Sequence, residues 1–125
     1  MTLTRPLVFV VDDDKAVRDS LKFALEIEGI DVQACEGGAS LLAHARLQEA
    51  SCLLIDYQMP IMNGFELVAE LLRRGLHTPT VLMTGKITAE LRRRARTTPL
   101  SGLVEKPLMD GALMETLRAI LGTAH

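Results

Sequence analysis

The chain has 125 residues and a mass of 13.7 kDa, enough for one compact domain and little more. Hydrophobic residues make up 48% and charged residues 24%, which excludes a disordered tail, and no apolar run approaches the roughly 20 residues needed to cross a bilayer. Fourteen basic and sixteen acidic side chains leave a net charge of −2, so there is no general footprint for nucleic acid. Leu7-Val8-Phe9-Val10-Val11 is a continuous run rich in β-branched residues, the pattern of a strand covered on both faces. It runs straight into Asp12-Asp13-Asp14, with no small-residue cleavage site of a signal peptide. Val17, Leu21, Ala24, Leu25 and Glu28 then step at helical spacing towards a stop at Gly29. Asp31 to Cys35 predicts a short second strand, and Ala39 to Gln48 a helix that buries Leu41, Leu42 and Ala45.

The same alternation continues. Cys52-Leu53-Leu54-Ile55 predicts a strand ending in Asp56, followed by a loop with Pro60 and Asn63-Gly64 and a helix from Phe65 to Arg74 closed by Gly75. Thr80-Val81-Leu82-Met83 predicts the next strand, ending in Thr84-Gly85. Thr88 to Arg96 reads as a helix with Glu90 near its start and arginines towards its end, as the macrodipole favours. Leu103-Val104 belongs to a last short strand before Lys106-Pro107, and Asp110 to Leu121 to a final helix on Leu113, Leu117, Ile120 and Leu121. Five strands alternating with five helices imply a parallel sheet with right-handed crossovers and helices on both faces. No linker interrupts the pattern, so residues 1–125 read as one domain with its core between residues 7 and 121. Cys35 and Cys52, with no CxxC, read as small buried hydrophobes in a reducing cytoplasm.

In an open parallel sheet, ligands bind at the carboxyl ends of the strands. Asp12-Asp13-Asp14 follows the first strand, Asp56 the third, Thr84 the fourth and Lys106 the fifth. Carboxylates brought together repel one another unless a cation is present. Hard oxygen ligands on a partly open site suit Mg²⁺, which keeps several waters and shares a phosphate oxygen. A lysine and a threonine hydroxyl opposite them complete the parts needed to stabilise a transferring phosphoryl group. Asp14 is better placed as the cap of the first helix than as a ligand. Asp56 or Lys106 alone would be unremarkable; their joint placement at strand ends carries the reading.

The matching pieces are Val10-Val11-Asp12-Asp13, Leu54-Ile55-Asp56-Tyr57-Gln58-Met59-Pro60 with Gly64 beyond, Met83-Thr84-Gly85, and Glu105-Lys106-Pro107. In this order and spacing, from Leu7 to Leu121, the chain resembles the receiver domain of two-component response regulators. The resemblance implies a doubly wound, flavodoxin-like sheet of order 2-1-3-4-5, with Asp56 as phospho-acceptor from a sensor histidine kinase or histidine phosphotransferase. It implies that Asp13 binds Mg²⁺ directly, with Asp12, Asp56 and the backbone carbonyl of Gln58 completing the metal site. Thr84 would move towards the phosphoryl oxygens, Lys106 would pair with them, and the Lys106-Pro107 bond would be cis. Phosphorylation would then shift the nearby loops and fourth helix between two arrangements.

Two positions depart from the family's pattern. Many relatives carry a Tyr or Phe three residues before the lysine, where this chain has Leu103, which has no ring to rotate inward. Pro99 stiffens the turn before the last strand and ends the fourth helix early. Gln58 and Lys86, two residues beyond Asp56 and Thr84, are candidates for tuning phosphate lifetime.

Arg92, Arg93, Arg94 and Arg96 form a basic run whose plainest reading is a solvated face. The functional reading takes Arg92, Arg93 and Arg96 as a partner face, since receivers use the fourth helix, last strand and fifth helix for homodimers or output proteins. No aromatic platform accompanies the run, so nucleic acid is not expected as a partner, nor is a membrane. His44, His77 and His125 show no ligand spacing. With the sequence ending at His125, we expect no output domain and a switch that binds another protein or passes phosphate onward.

The rival chemistry is a small phosphohydrolase of the haloacid-dehalogenase type, with Asp12 of Asp12-Asp13-Asp14 as nucleophile. That class needs an acidic motif after the lysine, where only Asp110 and Glu115 follow, both inside the expected last helix. A flavin-binding domain of similar fold lacks its phosphate-cradling loop and flanking aromatics.

Overall fold

All residues of β1 (Leu7–Val11), β3 (Cys52–Asp56) and β4 (Thr80–Thr84) are buried, as befits strands covered on both faces. The computed structural model describes residues 5–106, 108 and 111–122. The remaining elements are α1 (Lys15–Ile27), β2 (Asp31–Cys35), α2 (Gly38–Leu42), α3 (Gly64–Arg73), α4 (Ala89–Arg96), β5 (Gly102–Glu105) and α5 (Ala112–Leu121). All strand pairs are parallel and the sheet order is β2-β1-β3-β4-β5, as expected.

Side-chain alternation along each strand splits the core into two layers. Phe9, Val11, Leu53, Ile55 and Leu82 join Leu41 of α2, Leu67, Val68 and Leu71 of α3 and Leu91 of α4. Val8, Val10, Leu54, Val81 and Met83 point the other way, to Leu21 and Leu25 of α1 and Leu113 and Leu117 of α5. The two cysteines lie one in each layer, buried and unbridged, and burial pushes the Cys52 thiol up to about 12.

Local signals set the helix ends. Asp14 caps α1 by accepting from the Ala16 N–H at 2.9 Å. Asn63 and Glu66 exchange backbone and side-chain bonds in a capping box that starts α3. Gly29 and Gly75 take positive φ just beyond α1 and α3, where a Cβ would be strained.

The second helix is shorter than its sequence suggests. It stops at Leu42, and a separate 3-10 turn covers Leu47–Glu49. His44 explains the break: its Nδ1 accepts from the Arg46 N–H at 3.0 Å, and its ring stands edge-on to Phe9 at 4.8 Å. Leu47 is therefore buried where Ala45 was expected, and Ala45 is exposed, as is Ala24 on α1. The cis expectation for Lys106-Pro107, the helix start at Asp110 and the place of His125 lie outside the described residues. No helix among the described residues is long and apolar enough to cross a membrane.

Candidate functional site

The chain leaves β1 for β2 on one side and returns past β1 to β3 on the other, so the order reverses between β1 and β3. The crevice at their carboxyl ends is the topological switch point. Asp12 and Asp13 leave β1 there, and Asp56 is the last residue of β3. One carboxylate oxygen from each of Asp12, Asp13 and Asp56 lies within 4.8 Å of the others.

The three carboxylates differ in what already holds them. Asp12 is 0% exposed and engaged at every polar group. Its N–H donates to the Cys35 carbonyl at 3.1 Å, and its carbonyl accepts from Arg18 Nη1 at 2.8 Å. Its Oδ1 accepts from the Asp14 N–H at 2.9 Å, and its Oδ2 meets Lys106 Nζ at 2.7 Å. Asp13 is exposed. Asp56 is 5% exposed, and its Oδ1 lies 3.1 Å from the same ammonium.

Lys106 owes its place to β5, whose end is pinned to β4 when the Lys106 N–H donates to the Thr84 carbonyl at 2.7 Å. Burial works against its charge, but hydrogen bonds and proximity to Asp12 and Asp56 hold its pKa above the ordinary lysine value. Burial pushes the Asp56 carboxyl up from its usual range and Asp12 adds to the push; Lys106 opposes both, and Asp13 reinforces them. Three carboxylates share one ammonium here, which leaves an excess of negative charge in a half-desolvated crevice. All the donors are hard oxygens, so the set fits a small divalent ion.

Gly64 lets the next segment come close. A Cβ there would stand 2.9 Å from the Asp56 carbonyl and 2.6 Å from Leu82, so only glycine lets the start of α3 approach the turn after Asp56. Thr84 sits at the end of β4, but its hydroxyl bonds the Lys86 backbone, donating to the carbonyl at 3.1 Å and accepting from the N–H at 3.3 Å. A cavity of about 410 Å³ opens between Thr84, Tyr57, Lys86, Leu91 and Arg94. Gln58 and Lys86 are exposed on the loops that flank it.

Leu103 is half-buried and packs against the α2–α4 layer of the core. Arg92, Arg93 and Arg96 of α4 are exposed to solvent. Two contributors were not singled out in the sequence. Arg18 stands four residues after the Asp14 cap, one helical turn above the acidic loop, which is a signal that spacing could have given. The stacking of Arg94 on Phe65 joins two helices and leaves no trace in either local pattern.

A parallel α/β sheet with carboxylates and a lysine gathered at its switch point has the parts of a small phosphoryl-accepting domain. The chain belongs to the response regulator receiver domain family, whose pattern it matches over residues 8–118. It is 37% identical over 115 residues to the transcriptional regulatory protein FixJ of Azorhizobium caulinodans, covering 92% of this chain and 54% of that protein. It is 34% identical over 110 residues to the C4-dicarboxylate transport transcriptional regulatory protein DctR of Rhodobacter capsulatus, covering 86% of this chain and 56% of that one. The chain thus spans about half the length of the curated relatives it matches.

Among solved structures, chemotaxis protein CheY4 of Vibrio cholerae superposes with a TM-score of 0.85 at 27% identity, over 94% of this chain and 100% of that one. FixJ-N superposes with a TM-score of 0.83 at 25% identity, over 98% of each chain. The domain is a phospho-acceptor switch of the two-component type. The haloacid-dehalogenase reading falls: the family is a different one, and the Asp12 carboxylate is fully buried with both oxygens already bonded.

Proposed function

We propose that Asp56 is the phospho-acceptor and that Asp12, Asp13, Asp56 and the Gln58 carbonyl hold Mg²⁺ beside it. The observation that carries this reading is Lys106 Nζ poised between Asp12 and Asp56, at 2.7 and 3.1 Å. A carboxylate oxygen of Asp56 attacks the phosphorus of a phosphohistidine. The P–N bond breaks, and its electron pair stays with the departing imidazole. Lys106 then pairs with one phosphoryl oxygen, and Thr84 turns its hydroxyl from Lys86 to another. Bound Mg²⁺ supplies charge neutralisation at the phosphoryl oxygens. Asp13, exposed and without a competing partner among the described residues, would ligate the ion directly. Asp12, whose oxygens are bonded to Asp14 and Lys106, would help hold the ion directly or through water.

The domain turns over no separate substrate and catalyses only its own phosphorylation and dephosphorylation. Its donor is a sensor histidine kinase or a histidine phosphotransferase, and its output is a protein partner or a homodimer on α4, β5 and α5. Arg92, Arg93 and Arg96 support that face, since they have no ion pair among the described residues, whereas Arg46, Arg73, Arg74 and Arg118 all do. FixJ and DctR are transcriptional regulators by name, and no direct nucleic-acid contact is proposed for the part matched here. Two buried reduced thiols suit a cytoplasmic setting.

Incubation with acetyl phosphate and Mg²⁺, followed by intact-mass measurement, tests the assignment. One phosphoryl adduct is expected on the native chain and none on Asp56→Asn; an adduct that persists in the variant would overturn it.

A further inference from the structure

Among the described helices, α4 is the most lightly seated. Of its eight residues only Leu91 is buried. Two cavities adjoin the helix: one of about 410 Å³ beside Thr84, and a second of about 380 Å³ between Phe65, Val68, Leu72 and Pro99. Arg94 lines both. Its guanidinium carbon stands 4.3 Å from the centroid of the Phe65 ring, a cation–π contact from α4 to α3.

That ring is fixed from below. Phe65 is 6% exposed, and its ring meets the Tyr57 ring in a T-shaped contact at 5.5 Å and 69°. Tyr57 follows Asp56 directly, donates its N–H to the Met83 carbonyl at 2.7 Å and accepts from the Gly64 N–H at 2.9 Å. Phe65 is thus tied to the same backbone that carries Asp56. The start of α4 hangs from a different point. Its lead-in loop is held by the Thr84 hydroxyl on Lys86 and by Glu105 accepting from the Ile87 N–H at 3.1 Å, and Thr88 caps the helix.

We propose that the Arg94–Phe65 contact is a latch that seats α4 while Asp56 carries no phosphoryl group, so that phosphorylation and the latch oppose each other. This rests on the phospho-acceptor reading above. When Thr84 turns its hydroxyl towards a phosphoryl group on Asp56, it releases Lys86 and the loop leading into α4. The ring stays with the β3–α3 segment, the helix shifts with its loop, and the guanidinium leaves the ring face. Leu103 supplies no ring for this coupling, so it runs through Tyr57, Phe65 and Arg94. Because coupling is reciprocal, weakening the latch makes the phosphorylated arrangement easier to reach.

The probe is beryllofluoride with Mg²⁺, a phosphoryl mimic, titrated by calorimetry against the whole chain. Arg94→Gln is compared with Arg93→Gln, which removes the same charge from the same helix without touching the ring. The expected result is binding about two- to five-fold tighter for Arg94→Gln than for Arg93→Gln, the range of an exposed to partly exposed cation–π contact. Phe65→Leu gives a similar gain, and adding Arg94→Gln to it gives no more. Amide exchange in α4 speeds up in Arg94→Gln without the mimic and matches the native chain with it.

Equal or weaker binding by Arg94→Gln relative to Arg93→Gln overturns the latch, as does full additivity with Phe65→Leu. A native chain that takes up no beryllofluoride overturns the phospho-acceptor reading, and the latch with it. A native chain that binds it without the Arg94 difference overturns the latch alone.

Discussion

Lys106 and Asp12 stand 94 residues apart in sequence and meet at 2.7 Å, with Asp12 wholly buried. The pair closes the sheet's carboxyl edge from β1 to β5, and it has an energetic consequence. Lys106→Met leaves a buried carboxylate without its cation. The loss is on the order of 2 kcal/mol, below the range for fully buried pairs because the ammonium keeps partial access to water. A lysine whose folded pKa is raised contributes its stability fully below its unfolded value, 10.5 here, and loses it as pH climbs through the folded value. Urea unfolding should therefore show the Lys106→Met deficit undiminished from pH 7 to pH 9. The deficit should shrink only in strong alkali, or in acid where the carboxylates take up protons.

Asp56 works against the fold. Burial and Asp12 raise its pKa, so its charged form is less welcome in the native state than in the unfolded chain. The stability it offers when protonated is present below the usual carboxylate range and is lost as pH rises through the raised folded value. Asp56→Asn should accordingly raise Tm at pH 7, with about 3–6 °C gained for each ~1 kcal/mol recovered in a domain of this size. The gain should vanish in acid. Thermal scans of native and variant chains from pH 3 to pH 8 measure the crossover, and a variant less stable at neutral pH would contradict the account.

Most of this architecture is legible in the sequence, because its signals are local. Continuous apolar runs named β1, β3 and β4, and residues after those runs named the acidic site. The failures have local causes too. His44 diverts a backbone N–H to its own ring nitrogen and breaks α2, a competition that apolar periodicity does not register. Arg18 on the Asp12 carbonyl was within reach, one turn above the cap. Arg94 on Phe65 was not, because the contact depends on the spacing of two helices across a cleft, which no run of residues encodes.

Metal binding should separate the two acids of the first loop. Asp13 is exposed while Asp12 is bonded at both carboxylate oxygens, so in the proposed metal site direct ligation would fall to Asp13 and Asp56. Mg²⁺ that binds only the native state stabilises it, by about 2.7 kcal/mol when the ion is present at a hundred times its dissociation constant. Native Tm should rise with Mg²⁺ concentration, and Asp13→Ala should abolish the rise while leaving the metal-free Tm nearly unchanged. Asp12→Ala should instead lower the metal-free Tm, since it strips Lys106 of its shortest ion pair and leaves the Asp14 N–H unbonded.

The loop after β3 should respond in opposite senses at two neighbouring positions. A Cβ on Gly64 would press 2.6 Å from Leu82 and 2.9 Å from the Asp56 carbonyl, so Gly64→Ala must displace the turn after Asp56 or the start of α3. Overpacking of this kind costs about 1–3 kcal/mol, and here it also moves the backbone that carries Asp56. Phosphorylation by acetyl phosphate should slow together with the loss of stability. Three residues earlier, Ile61 is fully exposed and holds φ at 72°, a left-handed conformation that a β-branched side chain resists. Ile61→Gly removes that strain and should raise stability by up to about 1 kcal/mol after the entropy cost of glycine. Gly64→Ala and Ile61→Gly should thus shift the urea midpoint in opposite directions. If both lowered it, strain at Ile61 would be ruled out as a cost to the fold.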